Sequence, residues 1–150
     1  MPVKSLVQSG REVDFEKEIW TIPADRMKAG KEHRIPLSSR ALEILRSMTS
    51  NRNPDEYVFA GWKRNTGLSN NAFLALLKKM TRSDITPHGF RSTFRDWAAE
   101  EAHQFPNETI ELALANTIKN KVEAAYRRGE PLERHRELMK LWSCHIRQES

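Results

Sequence analysis

The chain of 150 residues fits one domain, and a domain of this size buries roughly 68 to 70% of its unfolded surface. Its 25 lysines and arginines exceed its 20 acidic residues, and the net charge of +5 with a pI near 9.6 favours a polyanionic partner such as nucleic acid. The single cysteine, Cys144, excludes an intrachain disulfide, and no apolar run is typical of a signal peptide or membrane span, which predicts a cytoplasmic protein without membrane contact.

The first half of the chain predicts a small sheet followed by two helices. Short β-type runs at residues 19–22 and 34–37 flank the turn residues 29–31, which predicts a small antiparallel sheet. The segments 38–48 and 69–80 each begin with a serine that can cap a helix and continue with apolar residues at helical spacing.

The second of these helices has an apolar face, and the connection before it carries a predicted core residue. Ser69 can cap this helix, and its apolar residues recur at i, i+3, i+4 and i+7, which places them on one face. Tyr57 lies in the apolar run DEYVFAGW, which favours a core position for its ring. The residues of the helix face are Phe73, Leu76, Leu77 and Met80.

A third helix is predicted for the stretch TPHGFRSTFRDWAAE, residues 86–100. Thr86 can cap the free N–H groups of the first turn, and Pro87 suits the first helical position because its missing N–H has no partner to lose there. Three aromatic residues then follow at i, i+4 and i+7 and predict a stripe that anchors the helix in a core. They are Phe90, Phe94 and Trp97.

The first turn of this helix also carries two residues suited to an anion. His88 and Arg91 lie one turn apart, at the helix end where the dipole favours negative charge. Each also has a purely structural interpretation. His88 can cap the helix or bridge to a carbonyl, Arg91 can pair with Asp96 or bind solvent, and Arg95 can contact a DNA backbone or form an ion pair with an acidic neighbour.

The remaining sequence predicts three more helices, at residues 107–115, 119–128 and 131–146. The last one is long and amphipathic, so it can either close the core of its own chain, which is the default, or dock on a neighbouring subunit. The predicted fold class is therefore mainly α with a small antiparallel β-sheet, an α+β fold. The apolar side of the last helix consists of Leu138, Met139, Trp142 and Ile146.

Tyr126 is set among basic residues in the segment KNKVEAAYRRGE. Its ordinary interpretation is a ring packed on the core with its hydroxyl in water, and the alternative is a functional tyrosine next to an anionic partner. The histidines at 33, 103, 135 and 145 show no ligand spacing with one another or with Cys144, so the sequence predicts no metal site and no cofactor.

Three segments in this order resemble the catalytic domain of the tyrosine recombinase family, specifically prophage-type integrases. They are IWTIPADRMKAGKEHRIPLS, TPHGFRSTFRDWAAE and KNKVEAAYRRGEPLERHRELMKLW, and the resemblance extends from about Glu12 to Ile146. It implies the fold of DNA breaking-rejoining enzymes and double-stranded DNA attachment sites as the partner. It also implies attack by a tyrosine on a DNA phosphodiester, a 3′-phosphotyrosyl intermediate and rejoining without metal or ATP in a bacterial, prophage-encoded protein.

The resemblance also implies roles for individual residues. Tyr126 matches the nucleophile, and Arg91 matches one of two arginines that bind the phosphate. His88 would donate to the phosphate or move protons. Lys28 matches the lysine that protonates the departing 5′ oxygen, with Lys31 as the alternative, although an exposed hairpin lysine is more often simply solvated. The segment after the tyrosine often packs on a neighbouring subunit in this family, which implies possible self-association.

Two departures from the family pattern predict impaired activity. The family places its first catalytic arginine in an R-x-x-E helix upstream of the sheet, and this chain lacks it. We therefore expect an unrelated or disordered leader at residues 1–11 and a partial, truncated catalytic domain at residues 12–150.

The second departure is Asn116, which stands where the family usually has a histidine. An asparagine can hydrogen-bond a phosphate oxygen but carries no charge. The alternative function is therefore a non-catalytic DNA-binding remnant or interaction module with the same fold. A basic helical RNA-binding protein is a third hypothesis, which no RNA-binding motif supports.

Overall fold

The computed structural model of the protein describes residues 7–116 and 130–148 and confirms the α+β class. The described strands are β1 (Val13–Asp14), β2 (Ile19–Ile22) and β3 (His33–Pro36). The described helices are α1 (Ser39–Thr49), α2 (Ala72–Lys79), α3 (Pro87–Glu101), α4 (Asn107–Ala113) and α5 (Glu130–Gln148). The helix predicted at residues 119–128 lies outside the described residues.

The three strands form one antiparallel sheet in the order β1-β2-β3, as the hairpin prediction requires. Ile19 pairs with Pro36 and Ile22 pairs with His33, so β2 and β3 are aligned over their full lengths. Gly30 has a φ of +64° in the connection between them, a left-handed conformation that glycine adopts without a steric penalty.

Two apolar clusters hold the described elements together. Ser38 caps α1 by accepting a hydrogen bond from the backbone of Ala41 at 3.3 Å, and α1 then packs Leu45 against the sheet. The cluster that we call the sheet core consists of Val7, Val13, Trp20, Ile22, Leu45 and Val58. The cluster that we call the helical core consists of Phe94, Trp97, Ala98, Ala102, Ile110, Leu114 and Leu138.

Aromatic side chains from α3 and α5 dominate the helical core. The rings of Phe94 and Trp142 meet edge to face with 5.4 Å between their centroids, and those of Trp97 and Trp142 are 5.0 Å apart. These separations are typical of favourable aromatic pairs. Leu138 is fully buried beside them, so α5 closes the core of its own chain, and self-association through this helix stays a prediction.

Helix α2 differs from its prediction. It begins at Ala72 after Asn71, with no side-chain cap, so the assignment of Ser69 as the cap is wrong. Within α2, all of whose residues are described, no side chain is buried, and Leu76 is 52% exposed. Met80, just beyond the helix, is also exposed, so much of this apolar face is left uncovered by the described elements. Helical spacing shows which side chains share a face, but not whether another element covers that face.

Three apolar side chains that the sequence placed in a core or on a packed face are exposed. Phe90 is 59% exposed because the helical core begins one turn later on α3, at Phe94. Ile146 lies near the end of α5, beyond Trp142, and is 48% exposed. Tyr57 is 38% exposed, although one side of its ring lies against Gly67.

The described part of the predicted leader packs on the sheet core. Val7 is buried there, and the backbone N–H of Val58 donates to the carbonyl of Gln8 at 2.9 Å. Ser9 also forms a β-bridge with Tyr57. Residues 7–9 thus contact the domain, while the predicted domain boundary at residue 12 stays a prediction.

Helix α5 contacts both α4 and the sheet, and two buried histidines mark its contact with β3. His33 on β3 and His135 on α5 have ring centroids 6.4 Å apart. Both ring nitrogens of His135 and Nε2 of His33 are buried without a hydrogen-bond partner among the described residues.

None of the helices within residues 7–116 and 130–148 combines the length and the apolar composition that a membrane span needs.

Acidification is expected to destabilise the fold through this histidine pair. Burial lowers the pKa of His33 to about 4, and burial, followed by the charges of His33 and Arg136, lowers the pKa of His135 to about 3. An unfolded histidine takes up its proton near pH 6.5. The stability that comes from keeping these two histidines neutral is therefore fully present above that pH and falls as the pH is lowered. The loss is about 1.4 kcal/mol per pH unit for each histidine, until the folded pKa is reached.

Urea unfolding at several pH values between neutral and about 4 measures this effect. His135→Leu should reduce the pH dependence of the unfolding free energy. His103→Gln, at an exposed position, should retain the wild-type pH dependence. A His135→Leu protein with the same pH dependence as wild type would contradict the expectation.

Candidate functional site

The first turn of α3 has the predicted construction. The backbone N–H of Gly89 donates to the side-chain oxygen of Thr86 at 3.2 Å, and Pro87 occupies the first helical position. His88 follows on this turn and is exposed, and its side chain makes no hydrogen bond with any residue in the described part of the chain. Arg91 lies one turn later and is half-buried.

The end of α4 brings Asn116 to the same place. Ala115 has a φ of +54°, and the N–H groups of Ala115 and Asn116 donate to the carbonyls of Leu112 and Glu111, both at 2.9 Å. This is the Schellman arrangement, in which a left-handed residue ends the helix and turns the chain back. Because Leu114 is buried in the helical core, the turn is held in place and presents Asn116 to α3.

Four side chains then form a chain of contacts between α3 and α4, which we call the arginine–amide relay. Nη2 of Arg91 donates to Oδ1 of Asn116 at 2.5 Å. Nδ2 of Asn116 donates to Oε2 of Glu111, and Arg95 forms an ion pair with Oε1 of the same carboxylate. Of the structural alternatives, the ion pair of Arg95 is confirmed, whereas Arg91 bonds to Asn116 and not to Asp96.

The charges of the relay favour an anion. Arg91 and Arg95 supply two positive charges against the single carboxylate of Glu111, so one positive charge is left over. A guanidinium has five N–H donors in a planar fork that matches phosphate oxygens, and Arg91 uses only one nitrogen on Asn116. The site therefore combines a half-buried arginine with an exposed histidine at the start of one helix.

Comparison with known proteins shows the family of the chain. The sequence model that describes the phage integrase family matches residues 9–131 of this chain. The chain belongs to the phage integrase family. Its integrase relatives include prophage integrase IntA of Escherichia coli K12, 37% identical over 88% of this chain and 32% of the relative. The integrase of Shigella phage Sf6 and prophage integrase IntS of E. coli K12 are each 34% identical over 89% of this chain and 35% of the relative.

Membership in the phage integrase family confirms the resemblance to tyrosine recombinases that the sequence motifs indicated. This integrase-family chain spans about a third of the length of the relatives it matches. No solved structure gave a significant match.

The structure brings some of the predicted integrase residues together and not others. His88, Arg91 and Asn116 share the region where α3 begins and α4 ends. Lys28 is exposed in the connection between β2 and β3 and forms no hydrogen bond or ion pair with another described residue. Tyr126 lies outside the described residues. The role of each of these side chains stays a prediction.

Sequence reasoning missed Glu111, which contacts both Asn116 and Arg95. The available signal was an acidic residue on the helix that leads into Asn116, five positions earlier. This spacing becomes meaningful only when the helix ends in a turn that folds the chain back.

In the described residues, no group of three or more His, Cys, Asp or Glu side chains is arranged to hold a metal ion.

Proposed function

We propose that this chain carries part of the strand-transfer site of a site-specific DNA integrase. The observation that supports the proposal most directly is the bond from Arg91 to Asn116. By resemblance, these two residues match the family's arginine position and the position where it usually has a histidine. Family membership and the prophage integrase relatives support the same reaction class. Tyr126 would attack a phosphodiester of double-stranded DNA at an attachment site.

The proposed step forms one bond and breaks another. The Tyr126 oxygen bonds to phosphorus, the bond from phosphorus to the 5′ oxygen breaks, and that oxygen takes a proton from Lys28. The tyrosine proton leaves to a base, for which His88 is available. The product is a 3′-phosphotyrosyl intermediate, and reversing the step with a new 5′ hydroxyl rejoins the strand.

Arginine addresses the main energetic obstacle to this step. A tyrosine with a pKa near 10 is ionised about once in a thousand at neutral pH, which costs roughly 4 kcal/mol for the reactive form. The fixed charge of Arg91 stabilises the negative charge that develops on the transferring phosphate. In the DNA-free protein its guanidinium is already held by Asn116, so its reorganisation on binding is limited.

DNA is the proposed partner, with attachment sites as its specific form. The net charge of +5 supports binding to a polyanion, and such binding should weaken steeply with added salt. No cofactor is part of the proposed step. A cytoplasmic location in a bacterium is proposed with it, following the prophage integrase relatives.

An SDS-resistant protein–DNA adduct is the expected result when the chain is mixed with labelled, nicked duplexes from the ends of the neighbouring prophage. Tyr126→Phe should abolish the adduct and leave binding in a native gel unchanged. The matched control is Tyr57→Phe, which alters the only other tyrosine and should retain the adduct. An adduct that persists in Tyr126→Phe would contradict the assignment of the nucleophile.

A second candidate function is a DNA-binding remnant without strand-transfer chemistry. The neutral Asn116 favours it, because its side chain supplies no charge where the family usually has a histidine. Its amide N–H group is also directed to Glu111 rather than to an open site. Binding in the native gel without any adduct would support this function against the enzyme.

A further inference from the structure

We propose that Glu111 is a positioning residue of the phosphate site: it orients the amide of Asn116, and through it the guanidinium of Arg91. The catalytic meaning of this proposal depends on the proposed strand-transfer function. The positioning itself does not, because it concerns contacts within the protein without DNA.

The first step of the argument is that the Glu111 carboxylate is fixed on both sides. Oε2 accepts from Asn116 and Oε1 accepts from Arg95, so each carboxylate oxygen has a donor. The Glu111 side chain is only 19% exposed, whereas that of Arg95 is 54% exposed. Charge-assisted hydrogen bonds of this kind are about twice as strong as neutral ones.

The second step is that Glu111 decides which end of the Asn116 amide faces Arg91. A side-chain amide has an oxygen that accepts and an NH2 group that donates, and a carboxylate only accepts. Glu111 therefore selects the NH2 end, and the oxygen must point the other way, toward Arg91. An amide rotated by half a turn would set donor against donor at Arg91 and acceptor against acceptor at Glu111.

The third step is that Glu111 holds the backbone of Asn116 as well as its side chain. Its carbonyl accepts the N–H of Asn116 at 2.9 Å in the turn that ends α4. The helix itself is anchored by Ile110 and Leu114 in the helical core. Backbone and side-chain contacts from one residue thus fix the position and the direction of the amide.

The fourth step concerns competition with phosphate. A carboxylate bonded directly to Arg91 would neutralise it and compete with an anionic ligand. In the relay a neutral amide separates Arg91 from Glu111, so the carboxylate orients the guanidinium without neutralising its charge. Arg95 balances the carboxylate from the opposite side.

The test uses the Arg91 guanidinium signals in nitrogen–proton NMR spectra of the protein without DNA, identified by their loss in Arg91→Lys. Glu111→Met keeps the length and helix preference of the side chain but removes both acceptors. It should raise the rate of guanidinium rotation and hydrogen exchange at Arg91 about tenfold, since a hydrogen-bonded contact to a charged group is lost. Glu111→Gln retains an accepting oxygen and should restore most of the order.

The matched control is Glu108→Ala, which removes another acidic side chain from the first turn of α4 and should leave the Arg91 signals unchanged. Arg91 signals in Glu111→Met that equal those of wild type would overturn the proposal. If Glu111→Met does not fold, Arg95→Met decides instead. It frees one side of the carboxylate and should loosen Arg91 only partly, so Asn116→Ala is measured beside it; Asn116→Ala removes the amide through which Glu111 acts, and an unaltered Arg91 signal in that variant would overturn the proposal.

The adduct assay separates this inference from the proposed function. An active site positioned by Glu111 should form the adduct about tenfold more slowly in Glu111→Met at saturating DNA, with unchanged DNA affinity. If no variant forms an adduct but the Arg91 guanidinium still rotates and exchanges faster in Glu111→Met, strand transfer is overturned and the positioning stands. If the adduct forms at the wild-type rate in Glu111→Met, the catalytic meaning of the positioning is overturned and strand transfer stands.

Discussion

Replacing Glu12 by alanine is expected to lower the free energy of unfolding by about 3–5 kcal/mol, because the change removes one side of a nearly buried ion pair. Glu12 forms an ion pair with Arg26, and their side chains are only 11% and 10% exposed. The Glu12 Oε2 atom also accepts from the indole N–H of Trp20 at 3.0 Å and from the backbone of Gln8 at 3.1 Å. The alanine variant loses all three acceptor contacts.

Urea unfolding at neutral pH measures this loss, and a surface ion pair supplies the control. Arg11 and Asp55 also form an ion pair, but their side chains are 69% and 64% exposed, so solvent screens it. Asp55→Ala should therefore leave the unfolding midpoint almost unchanged. Equal destabilisation by Glu12→Ala and Asp55→Ala would show that burial of the Glu12 pair contributes nothing.

The Glu12 ion pair also bears on the proposed chemistry. Arg26 ends the short 3-10 turn Ala24–Arg26 that follows β2, and Lys28 comes two residues later. By pairing with Arg26, Glu12 fixes the start of the segment between β2 and β3, which carries Lys28, the proposed proton donor. A protein with Glu12→Ala that still folds should bind DNA but protonate the departing 5′ oxygen less effectively.

The parts of the fold that the sequence predicted correctly depend on local chemistry. The capping serine at residue 38 and the Thr86–Pro87 pair act on N–H groups within three residues of themselves. Gly30 permits a left-handed turn at its own position. Such signals are complete within a short stretch of chain, so no knowledge of distant elements is needed to interpret them.

The parts that the sequence could not predict depend on distant partners. Phe90 and Leu76 have the right spacing for a buried face, but burial needs a second element to cover it. Family resemblance suggested both Arg91 and Asn116 as candidate site residues, and their side chains are in contact although they are 25 positions apart. It did not indicate that Glu111 sets the direction of the amide, because that depends on how α4 ends beside α3.

Asn116→His is expected to raise the rate of adduct formation about a hundredfold, since a charged donor at the transferring phosphate contributes a few kcal/mol to transition-state stabilisation. The imidazole would lie between Arg91 and Glu111, where Asn116 lies now. A neighbouring carboxylate favours the protonated imidazole, whereas a neighbouring guanidinium opposes it. With Glu111 adjacent, the charged ring can donate to both the carboxylate and a phosphate oxygen.

The rate of the adduct reaction with saturating DNA measures this gain, and its pH dependence identifies the cause. A protonated imidazole at position 116 is present below its pKa and lost above it, so the gain over wild type should disappear as the pH rises. Asn116→Gln, which keeps an amide and adds no charge, is the control and should show no gain. An equal gain in both variants would mean that the shape of the side chain, and not its charge, limits the reaction.

Combining Asn116→His with Glu111→Gln connects the two proposed roles. Removing the carboxylate charge lowers the pKa of the introduced histidine, so the gain should disappear at a lower pH than in Asn116→His alone. If the gain disappears at the same pH in both variants, Glu111 exerts no electrostatic effect on position 116. A gain that disappears at a lower pH in the double variant would show that the carboxylate that contacts Asn116 in this chain can hold a proton on a histidine at the same position.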